Sequence, residues 1–466
     1  MKSVALHNLG CKVNAYEIEV MQQNLQESGF KIVPFDSEAD IYIVNTCTVT
    51  NIADRKSRQM LHRAKHKNPD AVVVAVGCYV QTGAERVEED GCIDLAVGNN
   101  RKKDIVDILN AFLKERESGR RAGTASDIID ISNAREYEEM TLSRTAEHTR
   151  AYIKVQDGCN QFCSYCIIPF ARGRVRSRRK EDVLEEVRNL AAKGYREVVL
   201  TGIHLSSYGM DFLGETGEDY LKPGGDLRQQ AMDRGFLISL IEAIAGIDGI
   251  SRIRLGSLEP RIITEAFAER LAAVKKVCPH FHLSLQSGCD ETLKRMNRHY
   301  TAGEYYEKVE ILRRFFKNSA ITTDVIAGFP GETEEEFERT RAFLEKVRFF
   351  EMHVFKYSRR KGTVADRMDG QLTDAVKTAR SAVLLALEAK QSREYRASYI
   401  GQEVEILIEE QKEIGGKRWW VGHTPAYVRA AVPADEGREL SANGLCRGIV
   451  SGFLTDEIVS LNFSGK

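Results

Sequence analysis

The sequence predicts an α/β protein in three parts: an open parallel α/β sheet, a partial (β/α)6 barrel and a small C-terminal β-barrel. Three observations predict it. Residues 1 to about 113 alternate short apolar runs with amphipathic helical stretches. The same rhythm resumes at residue 151 and runs through six units. After a long helical pattern near 373–398, only alternating strand-like segments remain. A βαβα rhythm argues a parallel sheet covered by helices, and a succession of short alternating strands argues a barrel. The boundaries expected are 1–113, a linker over 114–149 without strong pattern, 150–372 and 373–466, which suits a 466-residue chain too long for one domain.

In the first part, strands are expected at 3–9, 41–45, 72–76 and 94–97, with helices near 14–28, 51–67, 83–89 and 101–113. Cys11, Cys47 and Cys78 each follow one of the first three strands. All three therefore lie beyond the carboxyl ends of parallel strands, where open α/β sheets keep their ligands. Taken singly, each would be an ordinary buried small hydrophobe; their shared position makes them a candidate metal site. Cys92 precedes its strand, at the opposite edge, and Cys278, Cys289 and Cys446 lack partners at ligand spacing; all four are read as structural.

In the second part, strands are expected at 151–156, 196–202, 251–257, 280–286, 320–327 and 350–357. The helix at 181–193 opens on Glu181 and Asp182, closes on Lys193 and stops at Gly194, matching helix polarity. Six units make a TIM-like barrel that is incomplete, with its site at the carboxyl ends of the strands. Directly after the first strand comes Cys159-x3-Cys163-x2-Cys166. Three thiolates so close hold an iron–sulfur cluster and leave one iron open for a chelating ligand. A zinc knuckle would instead favour four ligands in paired Cys-x2-Cys spacing. In the third part, strands are expected at 402–408, 418–421, 426–432, 445–450 and 458–463, with Trp419, Trp420 and Tyr427 as exposed candidates for stacking bases.

Composition narrows the function. With 42% hydrophobic and 29% charged residues the chain is globular. No apolar run reaches 18 residues, and the N-terminus has no signal-peptide core, so a cytosolic protein without membrane contact is expected. Ten cysteines there indicate metal or catalysis rather than disulfides. A net charge of −1 means any polyanion site is local. Residues 169–180 carry Arg172, Arg174, Arg176, Arg178, Arg179 and Lys180 with no acid; Lys356, Arg359, Arg360 and Lys361 cluster after the sixth strand. The helix after Cys47 adds Arg55, Lys56, Arg58, Arg63, Lys65 and Lys67. Of these, Arg172, Arg174, Arg176, Arg178, Lys356, Arg359 and Arg360 are taken as candidates for RNA phosphate, some of the first set alternatively gripping a carboxylate. Residues 395–466 hold eight Lys/Arg and ten Asp/Glu, which argues against a strong phosphate site on the C-terminal part alone.

The Cys159 triplet, with Tyr165 just before its last cysteine, resembles the radical S-adenosylmethionine (SAM) enzymes. LGCKVN, NTCTVT and GCY around Cys11, Cys47 and Cys78 resemble the N-terminal domain of the methylthiotransferases, and the likeness extends over essentially the whole chain. It implies two 4Fe–4S clusters, one at Cys11, Cys47 and Cys78 and one at Cys159, Cys163 and Cys166. It further implies SAM bordered by Tyr165, Thr201, Ser257 and Gln286, and a C-terminal TRAM barrel. LGCKVNAYE, NTCTVTN, ADRKSRQ and TGIHLSSYG resemble the members that act on threonylcarbamoyladenosine at position 37 of tRNA. Lys12-Val13 stands where the isopentenyladenosine enzymes typically have Gln-Met, and Thr48-Val49 where the ribosomal-protein enzymes have Gly-Phe. The partners implied are a tRNA anticodon stem-loop, an electron donor of flavodoxin or ferredoxin type and a source of sulfur. Methylthiolation of isopentenyladenosine or of a ribosomal-protein aspartate, and a non-catalytic RNA-binding iron–sulfur sensor, are the competing expectations. The Gly- and Asp-rich stretch 208–235 departs from the family pattern and is expected to be an insertion at the site mouth.

Overall fold

The computed structural model describes residues 1–119, 123–144, 149–213, 234–434 and 440–463. The first domain is a six-stranded, all-parallel sheet of β1 (Ser3–Asn8), β2 (Lys31–Val33), β3 (Ile41–Thr46), β4 (Val72–Gly77), β5 (Leu95–Val97) and β6 (Ala125–Asp127), in the order β2-β1-β3-β4-β5-β6. β3 and β4 are buried throughout, as continuous apolar runs of central parallel strands must be. The four expected strands are present; β2 and β6 are additional. Each is a three-residue edge, too short to carry an alternation that sequence could reveal. β6 corrects the expected linker: within 114–149, Ala125–Asp127 pairs with β5, and Met140 and Leu142 are buried in the core of this sheet. The strand order reverses between β1 and β3, which opens a ligand crevice at their carboxyl ends. α1 (Lys12–Glu27) leaves β1, α2 (Asn51–Lys67) leaves β3, and α3 (Cys78–Thr82) leaves β4, so each cysteine of the first trio sits at a strand-to-helix turn.

The second domain contains β7 (Ala151–Asp157), a two-residue antiparallel β8 (Arg176–Ser177), β9 (Glu197–Gly202), β10 (Arg252–Leu255), β11 (His280–His282), β12 (Ala320–Ala327) and β13 (Glu351–Lys356). They form the sheets β10-β9-β7-β8 and β11-β12-β13, joined by the parallel bridge Leu258–Leu283. The result is the expected open barrel of six parallel strands. Its core is built by Ile153, Leu200, Ile253, Phe281 and Val325 against the outer helices. The helix Asp374–Ala397 lies against this barrel, through Arg380 on Glu332 at 2.7 Å and Gln391 donating to the Leu344 carbonyl at 2.9 Å. Most of the 208–235 insertion lies outside the described residues.

The third domain is a closed barrel of β14 (Glu403–Ile414), β15 (Lys417–His423), β16 (Arg429–Pro433), β17 (Leu445–Phe453) and β18 (Val459–Phe463). It docks on the amino ends of the central strands, the face opposite the cysteines. Arg252 and Arg254 donate to the His423 and Pro425 carbonyls, each at 2.9 Å. Tyr427 stacks between His280 and His423, with ring centroids 4.7 and 4.6 Å away. This corrects the expectation that Tyr427 is an exposed base-stacking residue; it seals a domain interface. Trp419 and Trp420 are half-buried and packed on the barrel's own apolar side chains. Among the described residues no helix is long and apolar enough to cross a membrane.

Candidate iron–sulfur and substrate site

The first trio is assembled by backbone contacts between its loops. Gly10 has φ +112°, and a Cβ there would lie 3.1 Å from the Cys47 sulfur, so the Cys11 and Cys47 turns touch. Asn14, one turn into α1, clamps both: its amide donates to the carbonyls of Leu9 (2.7 Å) and Thr46 (3.1 Å). Cys78 Sγ receives Arg172 Nε at 3.3 Å and Asn99 Nδ2 at 3.5 Å. Cys11 is exposed whereas Cys47 and Cys78 are buried, and all ten cysteines are free. Burial, with Cys78 and Cys11 close by, pushes the Cys47 thiol up to about 12. Such a thiol is protonated at neutral pH, and a metal that binds its sulfur displaces the proton, which couples metal binding to the local fold.

The second trio follows β7. Gly158 has φ +70°, and a Cβ would fall 1.8 Å from the Arg174 carbonyl oxygen; only glycine fits. The Cys159 amide donates to the Gly173 carbonyl (3.0 Å) and Cys166 to that of Cys163 (2.9 Å). Phe162, between the first two cysteines, adopts φ +48°, a left-handed conformation that a bulky residue keeps only where the surroundings impose it. Arg174 covers the Phe162 ring, 4.5 Å from its centroid. Arg298, half-buried, donates to Cys163 Sγ at 3.2 Å and to the Tyr300 hydroxyl at 2.9 Å. Tyr165 meets Phe329 edge-on at 6.4 Å, anchoring the loop to β12's end. Thr201, buried, ends β9; Ser257, exposed, follows β10; Gln286, buried at φ +74°, bridges to Val325. All three lie at the barrel's carboxyl end, the rim that carries the cysteines.

Arg172 connects the two trios. Besides Cys78 it donates to Asn14 (2.5 Å), to Glu17 of α1 (2.6 Å) and to Asp157 of β7 (3.2 Å), the residue two before Cys159. Lys102 and Lys154 also reach Glu17, at 2.5 and 2.8 Å, and Lys154 reaches Asp157 at 2.7 Å. Burial alone would raise the Glu17 carboxyl; Arg172, Lys102 and Lys154 outweigh it and hold the group well below the usual carboxylate range. Arg176 is 3.8 Å from Asp157, and Arg178 is buried against Glu186. Arg360 is buried against Asp54 (2.8 Å) and Thr48 (2.6 Å). Arg172, Arg176, Arg178 and Arg360 are therefore corrected from RNA contacts to internal ion pairs. The error has a physical source: charge density in sequence cannot tell a solvated face from a buried network that has its acids elsewhere in the chain.

Two of the expected cations, Lys356 and Arg359, stay at the surface, together with others. Lys356 and Arg359 are exposed, though paired with Asp374 (3.2 Å) and Asp366 (2.7 Å). Arg55, Lys56 and Arg58 on α2 and Lys361 are exposed without an ion pair among the described residues. At the start of α2, the Asn51 backbone N–H donates to the Ser358 hydroxyl at 3.0 Å and its side-chain amide donates to the Arg359 carbonyl at 2.8 Å, so the two basic runs form one surface beside the Cys47 turn.

Inside the barrel, Asp324 of β12 is held by His282 (3.2 Å) and His353 (3.1 Å). Burial alone would raise the Asp324 carboxyl, but the hydrogen bonds and charges of the two histidines bring it well below its usual range. Arg298 and Glu17 carry no signal in the sequence as site residues. No spacing ties Arg298 to Cys163, 135 residues away; Asn14 and Glu17 were legible only as α1 positions one helical turn apart.

Comparison with known proteins agrees with this geometry. Residues 153–344 match the radical SAM superfamily, and residues 3–98 match an uncharacterised protein family, UPF0004. Among solved structures, a radical SAM methyltransferase, TsrM, from Kitasatospora setae aligns with a TM-score of 0.52 over 78% of this chain and 77% of its own, at 17% identity, and shares the fold alone. The class is thus that of the radical SAM enzymes. A threonylcarbamoyladenosine tRNA methylthiotransferase of Bacillus subtilis (strain 168) is 39% identical over 94% of this chain and 91% of its own length. Its counterpart in Aquifex aeolicus (strain VF5) is 36% identical over 88% and 94%. A tRNA-2-methylthio-N(6)-dimethylallyladenosine synthase of Pelotomaculum thermopropionicum is 33% identical over 89% and 88%. The chain belongs to the radical SAM methylthiotransferase family. Membership implies SAM and 4Fe–4S clusters. The residues fit them: two sets of three free cysteines at strand ends, with Arg172 or Arg298 donating to a sulfur of each set.

Proposed function

We propose that this enzyme methylthiolates C2 of N6-threonylcarbamoyladenosine at position 37 of tRNA. Cys159, Cys163 and Cys166 hold the cluster that binds SAM, and Cys11, Cys47 and Cys78 hold the second. The observation that carries the reading is the convergence of two cysteine trios on one barrel mouth, tied together through Arg172. The substrate rests on the relatives at 36–39% identity over nearly the whole chain. When bound, the clusters and SAM supply the radical that removes the C2 hydrogen and the methylthio group that replaces it. An aryl C–H of this kind is beyond side-chain general bases, so the protein's task is placement.

The residues accomplish that placement as follows. Arg172, Glu17 and Asp157 fix the Cys78 turn against β7, so the two sites do not drift apart. Arg298 orients Cys163, and Thr201, Ser257, Gln286 and Tyr165 border the space in which SAM lies. Arg55, Lys56, Arg58 and Lys361 receive phosphates of the anticodon stem-loop, whose single-stranded base is splayed into the mouth. An electron donor of flavodoxin or ferredoxin type serves the Cys159 cluster. Nucleoside mass spectrometry of tRNA from cells with and without this chain tests the reading. Loss of the 2-methylthio form of threonylcarbamoyladenosine, with its precursor accumulating, is expected. Loss of the isopentenyl-type methylthio nucleoside would move the substrate assignment, and unchanged tRNA would move it to a protein aspartate.

A further inference from the structure

The last three strands of the central barrel carry a set of metal-ligating side chains that contains no cysteine. β11, β12 and β13 run parallel, with His282 opposite Thr322 and Asp324 opposite His353 in register. Thr322 and Asp324 stand two residues apart on β12, so all four side chains share one face of the sheet. The other face carries Phe281, Leu283, Ile321 and Val325, which pack into the core beneath the outer helices. The row of polar side chains therefore faces the barrel interior. One Asp324 oxygen lies 3.2 Å from His282 Nε2 and the other 3.1 Å from His353 Nδ1. The ligand atoms of the three residues all lie within 4.8 Å of one another. Two donors bound to one zinc at about 2.0–2.1 Å and a tetrahedral angle stand about 3.3 Å apart. Both carboxylate–imidazole edges already have that spacing, and only the two imidazoles need to draw closer. His353, its side chain 59% exposed, has room to turn. His282 is the fixed member: it is buried, and its Nδ1 lies 3.0 Å from the Thr322 hydroxyl. A proton on Nδ1 donated to that oxygen leaves the Nε2 lone pair for an ion, the arrangement by which an outer hydrogen bond orients a ligating histidine.

We propose that His282, Asp324 and His353 bind a divalent transition-metal ion of the zinc or iron(II) class, separate from the two clusters, with a position left open for water or a substrate oxygen. Imidazole and carboxylate select such an ion, whereas the clusters require thiolates. The inference stands independently of the substrate assigned above. A purely hydrogen-bonded triad, in which both histidines donate to Asp324, fits the same distances and makes the opposite prediction, because it takes up no metal.

The test uses the cluster-loaded full chain, with zinc alone as the probe. Anaerobic equilibrium dialysis against zinc chloride, with iron measured alongside, gives the zinc bound and its Kd. Wild type is expected to take up a single zinc per chain with a Kd of about 10 μM or tighter, its iron content unchanged. X-ray absorption at the zinc edge should show nitrogen and oxygen at about 2.0–2.1 Å and no sulfur at about 2.3 Å. This readout needs no substitution. His353→Ala alters a mostly exposed side chain and should leave the fold intact; it and Asp324→Asn should each bind zinc at least about tenfold more weakly. A wild-type Kd weaker than about 10 μM, or unchanged affinity in both variants, overturns the inference. So does a sulfur shell, which would place the ion at a cluster cysteine or at Cys92, grouped with His62 and Asp90.

Discussion

Replacing Glu17 by glutamine should destabilise the junction between the first two domains more than replacing Arg172 by methionine, although Arg172 makes more bonds. The buried ion pairs join four cations (Lys102, Lys154, Arg172 and Arg176) to two anions, Glu17 and Asp157, and the Glu138 carboxyl, whose pKa burial raises, lies near Lys154 and Lys102. Removing Arg172 leaves Glu17 with Lys102 at 2.5 Å and Lys154 at 2.8 Å, and Asp157 with Lys154 at 2.7 Å. No carboxylate is orphaned and the excess of positive charge falls. The loss is then that of charge-assisted hydrogen bonds to Glu17 and Asn14, about 3 kcal/mol, at the low end for breaking a buried pair. Removing the Glu17 charge leaves four enclosed cations with Asp157 as their one ion-paired carboxylate, which should cost about 5 kcal/mol. Hydrogen exchange of α1 and β7 amides reads this locally, about tenfold in protection for each 1.4 kcal/mol. Protection should fall by roughly a hundredfold in Arg172→Met and further in Glu17→Gln. The opposite ranking, or a loss below about 1 kcal/mol in both, would refute the charge accounting.

Further outcomes are expected. Cys163→Ala should abolish SAM cleavage, while Cys47→Ala should retain it and lose methylthio transfer; product formation by either variant contradicts the assigned roles. Arg298→Met removes a cationic donor from the Cys163 sulfur and should make that cluster harder to reduce in an EPR-monitored titration. Neutralising Arg55, Lys56 and Arg58 together should lower the salt slope of RNA binding by about 2, since each phosphate contact contributes roughly 0.7 to 0.9. Burial and nearby Arg254 hold His280 well below its usual value, and burial lowers His423 as well. Their folded values lie below the unfolded one, so the stability they report is present above pH 6.5 and lost as pH falls beneath it. Each contributes up to about 1.4 kcal/mol per pH unit. His353 has the opposite sign, but its side chain is mostly exposed and its effect is small. The only two tryptophans, Trp419 and Trp420, lie in the docked C-terminal barrel. Their fluorescence in urea should give a lower midpoint at pH 5.5 than at 7.5, and His280→Phe should reduce the difference.

The sequence by itself determined the elements whose signal is local. Cys159-x3-Cys163-x2-Cys166 needs only a short loop after a strand, and the strands and helices that frame it are long enough to show their period. The position of Cys11, Cys47 and Cys78 at strand ends was legible because parallel topology carries every such end to one edge. Tertiary structure alone decided which charges face water. Arg172 and Arg178 lie in the same basic run as Arg174 and Arg179, yet the acids that neutralise them come from Glu17, Asp157 and Glu186, brought near by folding. Likewise β6 exists because β5 offers an edge, and Tyr427 is enclosed because His280 arrives from another domain. Periodicity reports how a segment meets a surface, whereas the identity of the partner depends on contacts between distant residues, which no local pattern encodes.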